Sequence, residues 1–410
     1  MAAITHGIVQ QLADQSDGTG GWVTALQDPL ANYVAGGTYL IVVTAQVTGD
    51  SVADEFDFQV LHAATTFEGS QMAIYPKNAT IATHRKSYSF MVVFDQPGGG
   101  AEDINFQFRT VNAAQNVYAD SIQIFRMRLD SSLVEGADYR FAEDDDSGAP
   151  TAHTNAFADF ASITFTPANA GDEWLIIGCY NYEVDNLNVS AEYRINRDSD
   201  TEVAPLTVKM GRNIAEQRMG LLIRPFQLTK VAHTFKMQGR DDGVDGAQND
   251  HYYTSIIAIR MNAFADFEYS WDESEFTFAS ADTWEEIAAL DFTPSAGADF
   301  LVFAACAGDA GVGGRHHSAR IQDGGVTDPV GQDVYDCMEQ SEDADDERMV
   351  VQMAMPTLAA ALEDLDMDGR AGNTGLVVED ITFVALSMEL AGAPAGPAGG
   401  FGAGASAIGM

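Results

Sequence analysis

The chain has 410 residues, 46% of them apolar, enough for two to four domains with sizeable cores. Its 61 acidic and 21 basic residues give a formal net charge of −40, which excludes the clustered Lys and Arg that nucleic-acid binding needs. No apolar run reaches the roughly 18 residues of a membrane span, so none is predicted.

The first residues, MAAITHGIVQQLADQ, lack a basic segment followed by an apolar core, so no secretory signal is expected. They are polar and end in the turn cluster SDGTGG, which predicts an N-terminal arm over residues 1–19. Beyond it the chain repeats itself. The segment FTPANAGDEWLIIGC, Phe165 to Cys179, returns as FTPSAGADFLVFAAC, Phe292 to Cys306, and more loosely as LANYVAGGTYLIVVTA, Leu30 to Ala45. Each copy is a Gly/Ala/Pro turn, an aromatic residue, then a continuous apolar run. Such a run reads as a strand buried on both faces or packed in a sandwich core.

Five landmarks recur in one order. Tyr39, Trp174 and Phe300 follow the opening turn at spacings of 135 and 126 residues, and Gln59, Arg194 and Arg320 keep those spacings. Met91, Met219 and Met349 open a further apolar run, closed by Pro97, Pro225 and Pro356. Ile122, Ile256 and Phe383 begin the last strand, read as SIQIFRM, SIIAIRM and ITFVALSM. A tandem repeat of about 130 residues follows, built of short strands punctuated by Gly, Asn, Asp and Pro. The predicted fold is all-β: three β-sandwich, jelly-roll-like domains at 20–130, 138–263 and 274–390. Linkers are expected near 130–137 and 262–274, and Thr357 to Leu365 is the best helical candidate. Residues 391–410, rich in Gly, Ala and Pro, would be disordered alone and are expected to be held by a neighbouring subunit.

Two segments are candidate calcium sites. Asp364, Asp366, Asp368 and Gly369 spell the opening of an EF-hand loop, but the twelfth position, where a bidentate Glu belongs, is Gly375. Aligning LDMDGR with FKMQGR instead places these Asp residues on the outward face of a strand. Asp241, Asp242, Asp245 and Asp250 lie in a Gly-broken acidic stretch that offers oxygen ligands for calcium or forms a solvated hairpin loop. His316 and His317 are adjacent, so on a strand they point to opposite faces, and surface positions are expected. Tyr252, Tyr253 and the cluster Phe264, Phe267, Tyr269 and Trp271 suit core or interdomain packing better than a sugar platform. Asn78 and Asn188 open N-glycosylation triplets. Cys179 and Cys306 read as buried free thiols, with a Cys306–Cys337 bridge as the alternative. No nucleophile elbow, phosphate loop, zinc helix or dinucleotide fingerprint is present, so neither enzymatic activity nor a cofactor beyond calcium is expected.

Asp outnumbers Glu about two to one and only five basic residues are Lys, a balance that resembles the proteins of extreme halophiles. Self-repulsion of such a surface fades in molar salt, where the Debye length is roughly 3 Å. The opening turn, the G-x-x-[WYF]-L-[IV] start and the closing I-x-I-x-R-M strand resemble jelly-roll modules of the tumour-necrosis-factor-like kind, which recur in surface proteins of tailed viruses. The resemblance spans about residues 20–390 and implies a virion fibre, spike, turret or capsid decoration from a virus of a halophilic host. It further implies synthesis in the host cytoplasm, a place on the virion surface, and a symmetric homo-oligomer, trimer or pentamer, beside other capsid or tail proteins. In that picture three sandwiches stand in line, anchored at one terminus. A host-receptor or glycan-binding adhesin facing host glycan or S-layer is the alternative, and a halophile cell-surface carbohydrate-active protein a second.

Overall fold

The computed structural model describes residues 3–11, 13–51, 54–74, 85–145, 151–152, 154–184, 190–198, 208–211, 216–241, 249–309, 316–323, 335–338, 347–372 and 374–392. These form antiparallel strands and short turns, and none of their helices is long and apolar enough to cross a membrane. The first module contains β1 (His6–Gln11), β2 (Gln15–Asp17), β3 (Val23–Asp28), β4 (Thr38–Gly49), β5 (Phe56–His62), β6 (Thr65–Thr66), β7 (Met72–Ile74), β8 (Lys86–Asp95), β9 (Ile104–Thr110) and β10 (Val117–Arg128). The second contains β11 (Tyr139–Asp145), β12 (Thr151–Ala152), β13 (Ala158–Phe165), β14 (Asp172–Val184), β15 (Ser190–Arg197), β16 (Val208–Gly211), β17 (Glu216–Leu228), β18 (His233–Asp241) and β19 (Asn249–Arg260). The third contains β20 (Phe267–Asp272), β21 (Phe276–Thr277), β22 (Glu285–Phe292), β23 (Ala298–Asp309), β24 (His316–Asp323), β25 (Tyr335–Met338), β26 (Glu347–Ala354), β27 (Thr357–Leu358), β28 (Glu363–Ala371) and β29 (Val377–Ser387).

Each module pairs two sheets in one pattern. An inner sheet runs β1-β10-β4-β8, β11-β19-β14-β17 or β20-β29-β23-β26. An outer sheet runs β3-β9-β5-β6 with β7 on β5, β13-β18-β15-β16 or β22-β28-β24-β25. With eight principal strands counted along each module the orders are 1-8-3-6 and 2-7-4-5, a jelly roll. The repeat extends to irregularities. The first outer strand bulges between Thr24 and Leu26, between Asp159 and Ala161, and between Glu286 and Ala288, each time opposite the same point of its partner.

Strand pairing also corrects the sequence alignment. Tyr39, Trp174 and Phe300 are equivalent, lying opposite Arg128, Arg260 and Ser387, and Gln59, Arg194 and Arg320 lie opposite Gln107, Gln238 and Asp368. Met219 and Met349 match each other through Asn181 and Ala307, but their counterpart in the first module is Ser87, opposite Gln46, so Met91 is four residues out. Ile256 and Phe383 correspond to Ile124, two residues beyond Ile122. A strand apolar on both faces carries no in/out alternation, so matching by residue type slides along it.

Three further expectations change. The segment expected as an arm contributes β1 and β2, which pair with β10 inside the first inner sheet. The expected linker at 262–274 contains β20, paired with β29. Thr357 to Leu365 is not helical: β27 pairs with β23, and β28 starts at Glu363 with the alternation of a half-buried strand. The tail at 393–410 lies outside the described residues.

The modules do not stand in line; they close a ring. The edge strands β8, β17 and β26, equivalent in the three inner sheets, contact one another pairwise. A short strand at one edge of each outer sheet also reaches the next module: β7 touches β17, β16 touches β26, and β25 touches β8 and β4. The third module returns to the first at the termini, where the Ile4 N–H donates to the Met388 carbonyl (3.0 Å) and Ala3 bridges Glu389.

This ring explains the continuous apolar runs. In β23, Phe300, Val302, Ala304 and Cys306 fill the third module's own interior. The alternate residues Leu301, Phe303, Ala305 and Ala307 join Met349, Val351, Met353, Val384 and Leu386 in the apolar cluster shared with the other two modules. Burying each large side chain contributes about 1.5–3 kcal/mol, so both faces of the inner sheet favour the closed arrangement.

Candidate functional site

Three seams and three outward faces are where this architecture presents chemistry. At the seam of the first and second modules, Asn181 is 1% exposed and donates through Nδ2 to the carbonyls of Gly69 (2.8 Å) and Gln71 (2.7 Å). The Ala73 N–H donates to Gln217 Oε1 (3.1 Å), and Tyr253 packs against Phe90 with ring centroids 5.6 Å apart. Gly69 has φ +74°, and a Cβ there would collide with the Tyr253 ring, so close approach of the two modules requires glycine. Replacing Asn181 by Ala takes the donor from the buried Gly69 carbonyl and from the Gln71 carbonyl at the surface, and is expected to cost about 1–3 kcal/mol. Urea melts measure this; an unchanged midpoint would show that the seam contributes nothing to stability.

At the seam of the second and third modules, Arg224 donates through Nη2 to Glu273 Oε1 (2.8 Å) and lies 3.8 Å over the Trp271 ring. Tyr269 donates to Glu173 Oε1 (3.1 Å), and Phe264 is buried, so the aromatic cluster does pack between modules. At the seam of the third and first modules, a cavity of ≈ 20 Å³ is lined by Thr44, Gln46, Ser87, Ser121, Gln123 and Gln352 among others. That volume suits a single bridging water.

The outward faces of the outer sheets present two rows of side chains at equivalent positions in every module. In the first row an arginine lies over an aromatic ring: Arg109 over Trp22 (4.7 Å), Arg240 over Phe157 (4.4 Å) and Arg370 over Trp284 (4.9 Å). Arg109 also donates through Nε to Asp57 Oδ2 (2.7 Å), and Arg240 pairs with Glu192. Burial pushes the Asp57 carboxyl above the usual range, outweighing the guanidinium beside it.

The second row differs between modules. In the second module Arg194 bonds Gln238 Oε1 and adds a second guanidinium over Phe157 (3.7 Å). In the third, Arg320 bonds Asp368 and lies over Trp284 (4.5 Å). In the first module both positions are amides. Gln107 Nε2 donates to Thr24 Oγ1 (3.0 Å), Gln59 Nε2 donates to Gln107 Oε1 (3.1 Å), and Thr66 Oγ1 donates to Gln59 Oε1 (3.1 Å). This ladder crosses four strands, and its Gln59, Gln107 and Thr66 floor a cleft of ≈ 520 Å³, whose lining includes Trp22, Asp57, Gln71, Arg109 and Gln217.

The calcium candidates fare as follows. Asp364, Asp366 and Asp368 sit on β28, with Leu365 and Met367 pointing inward, so the strand-face alternative describes their placement. Asp368 accepts from Arg320 Nη2 (2.6 Å). Burial, then Asp364 and Glu286, pushes Asp366 up to about 6. Asp241 is buried at the end of β18, and Asp250 stands in β19 with its pKa raised by burial and by Glu183. Asp242 and Asp245 lie outside the described residues, as do Asn78 and Asn188. Among the described residues no group of three or more His, Cys, Asp or Glu is arranged to hold a metal.

Cys179 and Cys306 are buried, and burial raises the Cys179 thiol to about 12. His317 corrects the surface expectation: it is 4% exposed, its ring against Gly308, where the absence of a side chain makes room for it. Sequence reasoning missed the cleft, although Gln59 had been singled out as a landmark. The signal was the exchange of arginine for an amide at that one repeat position.

No family model matches the chain, and no curated protein matches it. Among solved structures it is similar to insecticidal delta-endotoxin Cry8Ea1 from Bacillus thuringiensis, at 13% identity and a TM-score of 0.21, over 55% of this chain and 43% of that one. The chain thus spans less than half of the endotoxin's length. It is similar to the triple jelly roll of a turret assembly in an archaeal virus, at 9% identity and a TM-score of 0.19, over 88% of this chain and 82% of that one. Sulfolobus Turreted Icosahedral Virus supplies a further similar chain, at 9% identity and a TM-score of 0.17, over 87% and 82%. At these identities and TM-scores the likenesses identify no family.

Proposed function

We propose that the protein is a structural component of a virus-particle surface, a turret, spike, fibre or decoration of a tailed virus with a halophilic host. The observation that carries this reading is the ring: three equivalent jelly rolls closed through β8, β17 and β26 within one chain. Large apolar areas are spent on holding modules together, as in a scaffold. The chain then carries out no reaction and assembles further, as a trimer or pentamer, through surfaces outside the ring. The net charge of −40 fits a milieu of molar salt.

Light scattering of the purified chain across a salt series tests both parts. A symmetric oligomer at molar salt is expected, together with a melting temperature that falls as salt is withdrawn. A monomer at every salt concentration, or a melt indifferent to salt, would overturn the reading.

A further inference from the structure

We propose that the outer-sheet cleft of the first module is a binding site for a neutral oligosaccharide. The cleft is lined by the first module, with Gln217 of the second at its edge, and does not depend on the protein's being part of a virion. Its volume of ≈ 520 Å³ falls in the roughly 300–1,000 Å³ range of small-ligand pockets.

One chain carries three copies of this face. Where the second and third modules place Arg194 and Arg320, each lying over the local aromatic ring, the first has Gln59. The shorter amide leaves open the groove that a guanidinium occupies in its siblings. The floor that results is uncharged in its second row, in a chain of net charge −40. Gln59 and Gln107 each spend one N–H in the ladder, which fixes the orientation of both amides and leaves their second N–H groups for a ligand. Thr66 and the Arg109–Asp57 pair surround them with further donors and acceptors, beside the half-buried Trp22.

Oriented amides, hydroxyls, a carboxylate and an indole match a ligand dense in hydroxyl groups with apolar C–H faces. An anionic sugar is disfavoured, because Arg109 is already committed to Asp57 and Glu55 also lines the cleft.

The test uses the full chain in molar salt, titrated with maltotriose, cellotriose, mannotriose and N-acetyllactosamine, with sialyllactose as the acidic comparison. Binding is read by saturation-transfer NMR and tryptophan fluorescence. At least one neutral sugar is expected to bind. Gln59→Arg, which installs the residue its siblings carry, should weaken that binding by roughly tenfold or more while the melt stays unchanged. Arg320→Gln in the third module should leave the affinity as it was. Absence of binding by every neutral sugar, binding of sialyllactose alone, or equal affinity in Gln59→Arg would each overturn the proposal. A Gln59→Arg chain that fails to fold is replaced by Gln107→Ala, for which the same loss is expected and whose full retention of binding would count equally against it.

Discussion

Replacing Trp174 by Ala is expected to destabilise the fold by about 3–5 kcal/mol, the range for removing a large buried aromatic. The indole is 1% exposed on β14, its ring centroid 4.2 Å from that of Phe165 on β13 in the facing sheet. It therefore bridges the two sheets of the second module, and Phe165 stacks in turn on Phe235 at 5.8 Å. Removing it leaves a void that rigid neighbouring strands cannot close. Urea unfolding followed by circular dichroism measures the loss; a change below 1 kcal/mol, roughly the cost of a conservative swap, would mean that the ring does not hold the sheets together.

Asp380→Asn is expected to reshape the dependence of stability on pH. Asp380 is 6% exposed on β29, and its pKa is raised from 3.8 to about 8, by burial first and the neighbouring Glu379 second, against the opposing pull of Arg224. An acid whose pKa rises on folding binds its proton more tightly when folded. Its contribution is complete below the unfolded pKa of 3.8 and is lost as pH climbs toward 8, by up to about 1.4 kcal/mol per unit. Asparagine is neutral throughout and tolerates the left-handed backbone at this position, φ 54°. The variant should match the parent near pH 4 and exceed it increasingly up to pH 8. Parallel melting curves for the two proteins across that window would refute the assignment.

The strands and the repeat were legible because strand chemistry is local: turns rich in Gly and Pro, then aromatic and β-branched runs. Register was legible only where polar residues mark a face. Gln59, Arg194 and Arg320 aligned correctly because each stands in an alternating strand, whereas Met91 slid by four residues in a strand whose two faces are both apolar. The ring was half-written in the sequence. Continuous apolar runs announced burial on both faces, but composition does not say whether the second face meets another chain or another part of the same one. The cleft escaped notice because it is a difference between copies rather than a pattern within one. The strand-face placement of Asp364, Asp366 and Asp368 was recovered by aligning them with a sibling strand of known parity.

Closing the ring within a single polypeptide also removes a constraint on divergence. Three identical subunits around an axis must accept every substitution three times over, so a change useful at one face is imposed on all. Here each third of the circle mutates alone. One carries an amide and a hollow where its siblings carry a guanidinium, another carries Asp364, Asp366 and Glu286 on its outer surface, and the apolar centre is shared by all three.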